Sequence, residues 1–359
     1  MAQQLNDYLS EKLKALSLAA IVLVVFIHSH NEEVKFASGE MAGNPEQWVL
    51  FVENFVSKGI ARIAAPIFFM ISGLLFFLSY DFTLQGIVSK FKSRLKSLVV
   101  PYLIWSVFGL ILILSLQLIP WSKDFFTKEL IIHYSISKLL RTIFFDPIPY
   151  QLWFIRDLFM LVIVSPLIWY LTKSLRGVLL AILMVLWTIA PKTFSFFTNE
   201  ALLFFTLGCA LALDKKLLNH IFSEFWSYYF FLSWLMIVLA ATYLLTFHPE
   251  MDVVGLTALN NLGIVTGILA VWSCYDHIDH AQVTKYSVAF GYTFIIFVFH
   301  EPVLTILIKG MFFVLGKTNL SSILIYIVAP LIAIAISVTV RFVLMKHAPR
   351  FYKIATGGR

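Results

Sequence analysis

Charge is what this sequence lacks. Of its 359 residues only 13% are Asp, Glu, Lys or Arg, against about 25% in soluble domains. In their place stand 35 Phe, 14 Tyr and 9 Trp, and 60% of the chain is hydrophobic. Mean hydropathy is +0.87. A water-soluble fold cannot hide apolar surface on this scale, which excludes a cytosolic globular enzyme and a disordered chain. Cysteine is nearly absent: Cys209 and Cys274 each lie in an apolar stretch, with no CxxC. That excludes a secreted disulfide scaffold and leaves two buried, inert thiols. The strand-like alternation of a membrane barrel is missing, because the apolar runs are continuous. There is no internal repeat and no low-complexity linker. What remains is an all-α, polytopic membrane helical bundle, read as one domain over 1–359. The net charge of +7 reads as loop Lys and Arg that set orientation and meet anionic lipid, not nucleic acid.

Apolar runs of about 17 to 25 residues mark spanning helices. About ten transmembrane helices are expected, near 15–30, 60–80, 98–119, 151–171, 176–190, 201–213, 227–247, 254–274, 286–308 and 322–345. Ser29-His30-Asn31 offers no small-residue cleavage site, so the first run is a retained span and not a signal peptide. With the N-terminus inside, fifteen Lys and Arg fall in inner segments and nine in outer ones. The bias places both termini in the cytoplasm, in a multi-pass protein of the cell (inner) membrane. Two outer segments are long. Residues 31–59 carry Glu32, Glu33, Glu40, Glu46 and Glu53, and Phe51, Phe55 and Ile60 are spaced as on a helix at the surface. Residues 120–150 are rich in aromatics and end in Asp146-Pro147-Ile148-Pro149-Tyr150. Such loops either cover a binding site or simply connect.

An ionisable side chain inside a span costs about 2.5–3.5 kcal/mol on insertion scales, so it usually has a partner or a function. Four stand out: His28, Arg62, Arg156 and His300. On this topology each lies toward the outer half of its span, which points to one polar pocket opening outward. The plain alternatives are an interfacial His28, an Arg62 snorkelling to headgroups, an Arg156 paired with Asp157, and a structural His300–Glu301 pair. Helix geometry adds that Lys14, fourteen residues before His28, lies about 40° off the same face and roughly 20 Å away, while Lys12 falls nearly opposite. His30 points away from His28.

A histidine in a low-dielectric pocket titrates near neutrality and can act as general base on a hydroxyl. Arginine keeps its proton, so it holds a phosphate, a carboxylate or a developing oxyanion. No HExxH or HxxxH spacing supports a metal, and no GxSxG elbow is present.

The motifs then acquire a precedent. Leu16-Ser-Leu-Ala-Ala-Ile-Val-Leu-Val-Val-Phe-Ile-His28-Ser29 resembles the opening of the acyltransferase-3 family of integral membrane O-acyltransferases. Arg62-Ile-Ala-Ala-Pro66-Ile-Phe-Phe-Met-Ile-Ser72-Gly73 is similar to that family's second span. Tyr150-Gln-Leu-Trp153-Phe-Ile-Arg156-Asp157-Leu158 and Phe299-His300-Glu301-Pro302 resemble two later motifs, in the family's order. The resemblance implies transfer of an acyl group, most often acetyl, onto a hydroxyl of an envelope glycan or lipid-linked sugar. It implies acyl-CoA (acetyl-CoA) as donor substrate, no bound cofactor, and His28 as candidate general base or acyl carrier. Family members carry Arg eleven residues before that histidine, where this chain has Ser17. Lys14, one turn earlier, is expected to supply the charge, so that Lys14→Ala depresses activity and Lys12→Ala does not.

The candidate catalytic residues are therefore His28, Arg62, Arg156, His300 and Glu301. The candidate substrate-binding residues are Trp153, Tyr150, Asp157 and Lys14, with Trp153 and Tyr150 placed to stack on a sugar or a polyprenyl chain. The alternative reading is a transporter or flippase of a lipid-linked or acylated substrate, which also needs charge inside the membrane. Against it, no inverted repeat and no matched pair of Gly/Pro-broken segments is seen.

Overall fold

The computed structural model describes residues 7–30, 35, 45–79, 83–126, 129–190, 196–218, 220–250, 253–278 and 287–358. Glu32, Glu33 and Glu40 lie outside them. The described residues form helices and no β-strand: α1 (Asp7–Ile27), α2 (Gln47–Asn54), α3 (Ala64–Leu78), α4 (Leu84–Arg94), α5 (Val100–Gln117), α6 (Ile136–Phe144), α7 (Trp153–Leu175), α8 (Gly177–Ile189), α9 (Asn199–Leu213), α10 (Lys215–Leu218), α11 (Glu224–Phe247), α12 (Val253–Tyr275), α13 (Thr293–Leu315), α14 (Asn319–His347) and α15 (Pro349–Ala355). Each of the ten apolar runs falls on a helix. Among the described residues seven helical stretches are long and apolar enough to cross a membrane: Gln47–Leu78, Gln85–Gln117, Tyr150–Leu175, Glu224–Phe247, Val254–Tyr275, Ala289–Leu315 and Asn319–His347. α8 and α9 are apolar but shorter. The helix expected at the surface within 31–59 is α2, which runs on through a π turn (Phe55–Gly59) and a 3-10 turn (Ile60–Ile63) into α3.

The helix starts follow from their sequence. Thr83, Ser135, Thr198 and Thr318 each turn a side-chain oxygen onto a backbone N–H of the first turn, which satisfies a donor that no carbonyl can reach.

The chain divides into two compact units. The first holds residues 1–23, 58–95 and 157–291, and the second 24–57, 96–156 and 292–359. The first unit packs by small residues. A Cβ on Gly73 would lie 2.3 Å from the Phe205 carbonyl oxygen, and one on Gly208 would lie 2.3 Å from that of Met70. α3 and α9 therefore meet backbone to backbone, the device of helix pairs that cannot rely on a hydrophobic force within lipid. On α12, Gly267 gives the same room to Ile63 and to the Trp234 indole of α11.

This unit also holds a buried ion pair. Lys12 Nζ donates to Asp276 Oδ1 at 2.6 Å, with both side chains at most 3% exposed. Tyr8 donates to the same oxygen, and the ammonium lies 4.4 Å from the Trp272 ring centre. Burial lowers the pKa of the Lys12 ammonium from its ordinary value, and the Asp276 carboxylate pulls it back up. Lys14 is exposed.

In the second unit α13 packs along α14, and α5 receives α6 and α15. Gly109 on α5 matters here, because a Cβ there would lie 2.2 Å from the Pro149 ring. Its absence lets the segment before Tyr150 lie directly on α5. Tyr102 Oη donates to Phe144 O at 3.0 Å, Ser106 Oγ to Ile143 O at 2.9 Å, and Ile131 N to Gln117 Oε1 at 2.8 Å. These bonds fasten the 129–150 segment to α5.

Candidate active site

The second unit brings His28, Tyr150 and His300 together. His28 sits just past the last turn of α1, where the helix runs out. The Phe26 carbonyl takes hydrogen bonds from Ser57 Oγ at 2.7 Å and from Ser29 Oγ at 2.9 Å. Ser57 Oγ is also 2.7 Å from Tyr326 Oη. The turn that carries His28 is thus held by buried hydroxyls that sequence gave no reason to single out. Ser29, Ser57 and Tyr326 are all at most 2% exposed.

His28 Nδ1 lies 2.6 Å from Tyr150 Oη, and the two rings meet edge to face. The His300 ring stacks on His28, centres 5.4 Å apart and planes 17° from parallel. His300 is fully buried. Its Nδ1 lies 2.8 Å from the Ile296 carbonyl. A carbonyl only accepts, so that nitrogen carries the proton and Nε2 keeps its lone pair. Nε2 is buried without a hydrogen-bond partner among the described residues. His28 Nε2 likewise has none there. The stacked rings therefore present Nε2 atoms that no described residue saturates. A buried unpaired polar atom is costly.

The other predicted residues are placed as follows. Glu301 is buried directly after His300, and its carboxylate accepts from Thr305 Oγ1 at 2.9 and 3.1 Å. Trp153 is half-buried on the first turn of α7. Arg156 Nη1 donates to Phe145 O at 3.0 Å, which ties α7 to the end of the 129–150 segment. These three belong to the same unit as His28. Arg62, Asp157 and Lys14 belong to the other. Arg62 Nη2 pairs with Glu200 Oε2 at 3.1 Å and is 41% exposed. Asp157, 1% exposed, accepts from Thr198 N at 3.3 Å at the start of α9. His30 faces away from His28, with Nε2 3.0 Å from Asn54 Oδ1 and Nδ1 3.8 Å from Glu53.

Two stacked histidines in a helical membrane bundle, one of them touched by a tyrosine, are groups chemically able to take up or hand on a proton. The comparison with known families makes that chemistry specific. The acyltransferase-domain family model, Acyl_transf_3, matches residues 13–342, and the chain belongs to that family. It is a multi-pass membrane O-acyltransferase. Over 372 residues it is 24% identical to the succinoglycan biosynthesis protein ExoH of Rhizobium meliloti (strain 1021), covering 98% of this chain and 92% of that one. No solved structure matches this chain significantly.

Proposed function

We propose that this protein transfers an acyl group, acetyl first among them, from acyl-CoA to a hydroxyl of an envelope glycan or lipid-linked sugar in the cell's inner membrane, with both termini in the cytoplasm. Family membership supports the reaction class, and the succinoglycan relative supports a polysaccharide acceptor. The observation that carries the chemistry is the state of His28: one ring nitrogen engaged by Tyr150, the other unengaged among the described residues.

The acceptor hydroxyl gives its proton to His28 Nε2 as its oxygen attacks the acyl carbonyl carbon. The carbon–sulfur bond then breaks, and the coenzyme A thiolate leaves and takes up a proton. For Nε2 to act as the base, Nδ1 must hold the other proton and donate it to Tyr150 Oη. Tyr150 is then the residue that fixes the tautomer. His300, stacked at 5.4 Å, offers its own lone pair at Nε2 to the acceptor hydroxyl or to a water. Arg156 and Trp153 edge the acceptor side, and Glu301 backs His300. Lys14 provides a charge for the donor at the inner face.

The test compares base-labile acyl groups on envelope glycans by mass spectrometry. The strains are a deletion, a wild-type complement and a His28→Ala complement at matched membrane levels. Acyl groups lost in the deletion, restored by wild type and not by His28→Ala are the expected result. General-base loss costs about 10²–10⁴ in rate. A His28→Ala strain that restores wild-type acylation would remove His28 from the reaction.

A further inference from the structure

α13 carries His300 and is broken immediately after it. Glu301 has φ −108° and ψ 138°, outside the helical region, and Pro302 follows. Proline has no N–H, so the Val298 carbonyl, four residues back, loses the donor a continuous helix would give it. Inside a membrane no water replaces that donor.

The side chain that fills the gap is Gln151. It is 1% exposed, and its Nε2 lies 3.1 Å from Glu301 O, 3.4 Å from Val298 O and 3.5 Å from Phe297 O. Three carbonyls around one amide group require the nitrogen on that side. Gln151 directly follows Tyr150, which holds His28. Two consecutive residues of the turn Tyr150–Leu152 thus touch His28 on one side and the broken helix of His300 on the other.

We propose that Gln151 is a positioning residue of the acyl transfer: its amide binds Glu301 O at the break and offers Val298 O a donor in place of the one Pro302 removes, and so holds His300 against His28. The proposal rests on the reading of His28 and His300 as the reacting pair. Its own prediction concerns the donor hydrogens alone. The Gln151 oxygen is buried with no hydrogen-bond partner among the described residues, so removing it relieves the site. Any loss must come from the nitrogen.

Gln151→Met keeps the volume and removes the donor. Gln151→Glu, assayed on the acid side of the activity range, keeps one O–H donor, since burial favours the neutral carboxyl. Membrane vesicles from a deletion strain complemented with each variant at matched levels are given labelled acetyl-CoA, and incorporation into envelope glycan is followed against donor concentration. Expected is a turnover about tenfold or more below wild type for Gln151→Met, donor KM within about twofold, and Gln151→Glu between the two. Gln151→Met at wild-type turnover, or at or above Gln151→Glu, would overturn the proposal, because a volume-filling role is met as well by methionine. His28→Ala vesicles run alongside keep the two readings separate. Activity there sinks the reaction centre, whereas inactivity there with a fully active Gln151→Met sinks only the role of Gln151.

Discussion

The two units each bury a polar cluster, and they do opposite things with it. In the first unit Lys12, Asp276 and Tyr8 face one another: an ammonium, a carboxylate and a hydroxyl that cancel charge and share one oxygen. In the second unit His28 and His300 stack as rings, and each keeps a ring nitrogen that the described protein does not use. The first arrangement is closed in charge, although Asp276 Oδ2 accepts no hydrogen bond among the described residues and the cluster lines a cavity; the second holds no charge pair and leaves a ring nitrogen open. Burial alone therefore does not mark a catalytic residue, since Lys12 is as buried as His300. What separates them is that Lys12 has its counter-charge inside the fold, whereas His300 Nε2 has no partner among the described residues.

The sharpest way to break the comparison is to open the closed cluster. Lys12→Ala leaves the Asp276 carboxylate buried without its cation, which costs about 3–5 kcal/mol. The variant should show a strongly lowered unfolding midpoint in detergent and low membrane levels. Replacing both partners by apolar residues, Lys12→Met with Asp276→Leu, should recover most of that stability, because a neutral buried pair carries no uncompensated charge. A Lys12→Ala protein of wild-type stability that has lost activity would move Lys12 to the open side. The expectation from the sequence, that Lys12→Ala does not depress activity, leaves this stability cost out. Helix geometry correctly separated Lys12 from Lys14, but the partner that buries Lys12 is 264 positions along the chain.

The complementary change is Tyr150→Phe, at the open cluster. It removes the hydroxyl at His28 Nδ1 and keeps the ring packing. One lost hydrogen bond to a buried group is worth about 1–3 kcal/mol. Because Tyr150 is 43% exposed, water reaches the vacated place, and the loss should sit near the lower end, about tenfold in turnover. The unfolding midpoint should fall only slightly, because water takes the place of the lost partner; single-turnover acyl transfer in vesicles reads the rate, and thermal unfolding in detergent reads the midpoint. An unchanged turnover would mean that Tyr150 does not set the tautomer of His28.

Much of the architecture was legible because bilayer thickness fixes helix length, so continuous apolar runs announce themselves. His28 and His300 were legible because a polar residue in such a run is expensive. Their partners were not. Gln151 is a neutral residue at the edge of a span, and only the break at Pro302, 151 positions later, gives it work. Ser57 and Tyr326 look like ordinary residues of their helices until their oxygens meet near the Phe26 carbonyl. Gly263 and Gly267 stand in open view as Gly-x-x-x-Gly on α12, yet which helix they admit depends on Trp234 of α11. Arg62 and Asp157 advertised themselves by charge, and the structure gives each a local partner, Glu200 and the Thr198 amide. Cost marks a residue as needing a partner, and only the fold names the partner.

Lys14 offers the smallest and most discriminating test, since it differs from Lys12 by two positions and by nearly everything else. It is exposed, so Lys14→Ala should leave stability within about 0.5 kcal/mol of wild type. If it meets the donor, it acts as a point charge on phosphates, and such an interaction is screened over about 8 Å at physiological ionic strength. The expected signature is a donor KM raised about threefold at low salt, fading as salt is added, with turnover at saturating acyl-CoA unchanged. Titrating acyl-CoA into vesicles at two ionic strengths reads this directly. A KM that does not move at low salt would leave Ser17, where the family carries arginine, without a substitute at Lys14. Donor binding would then have to draw on a different basic side chain.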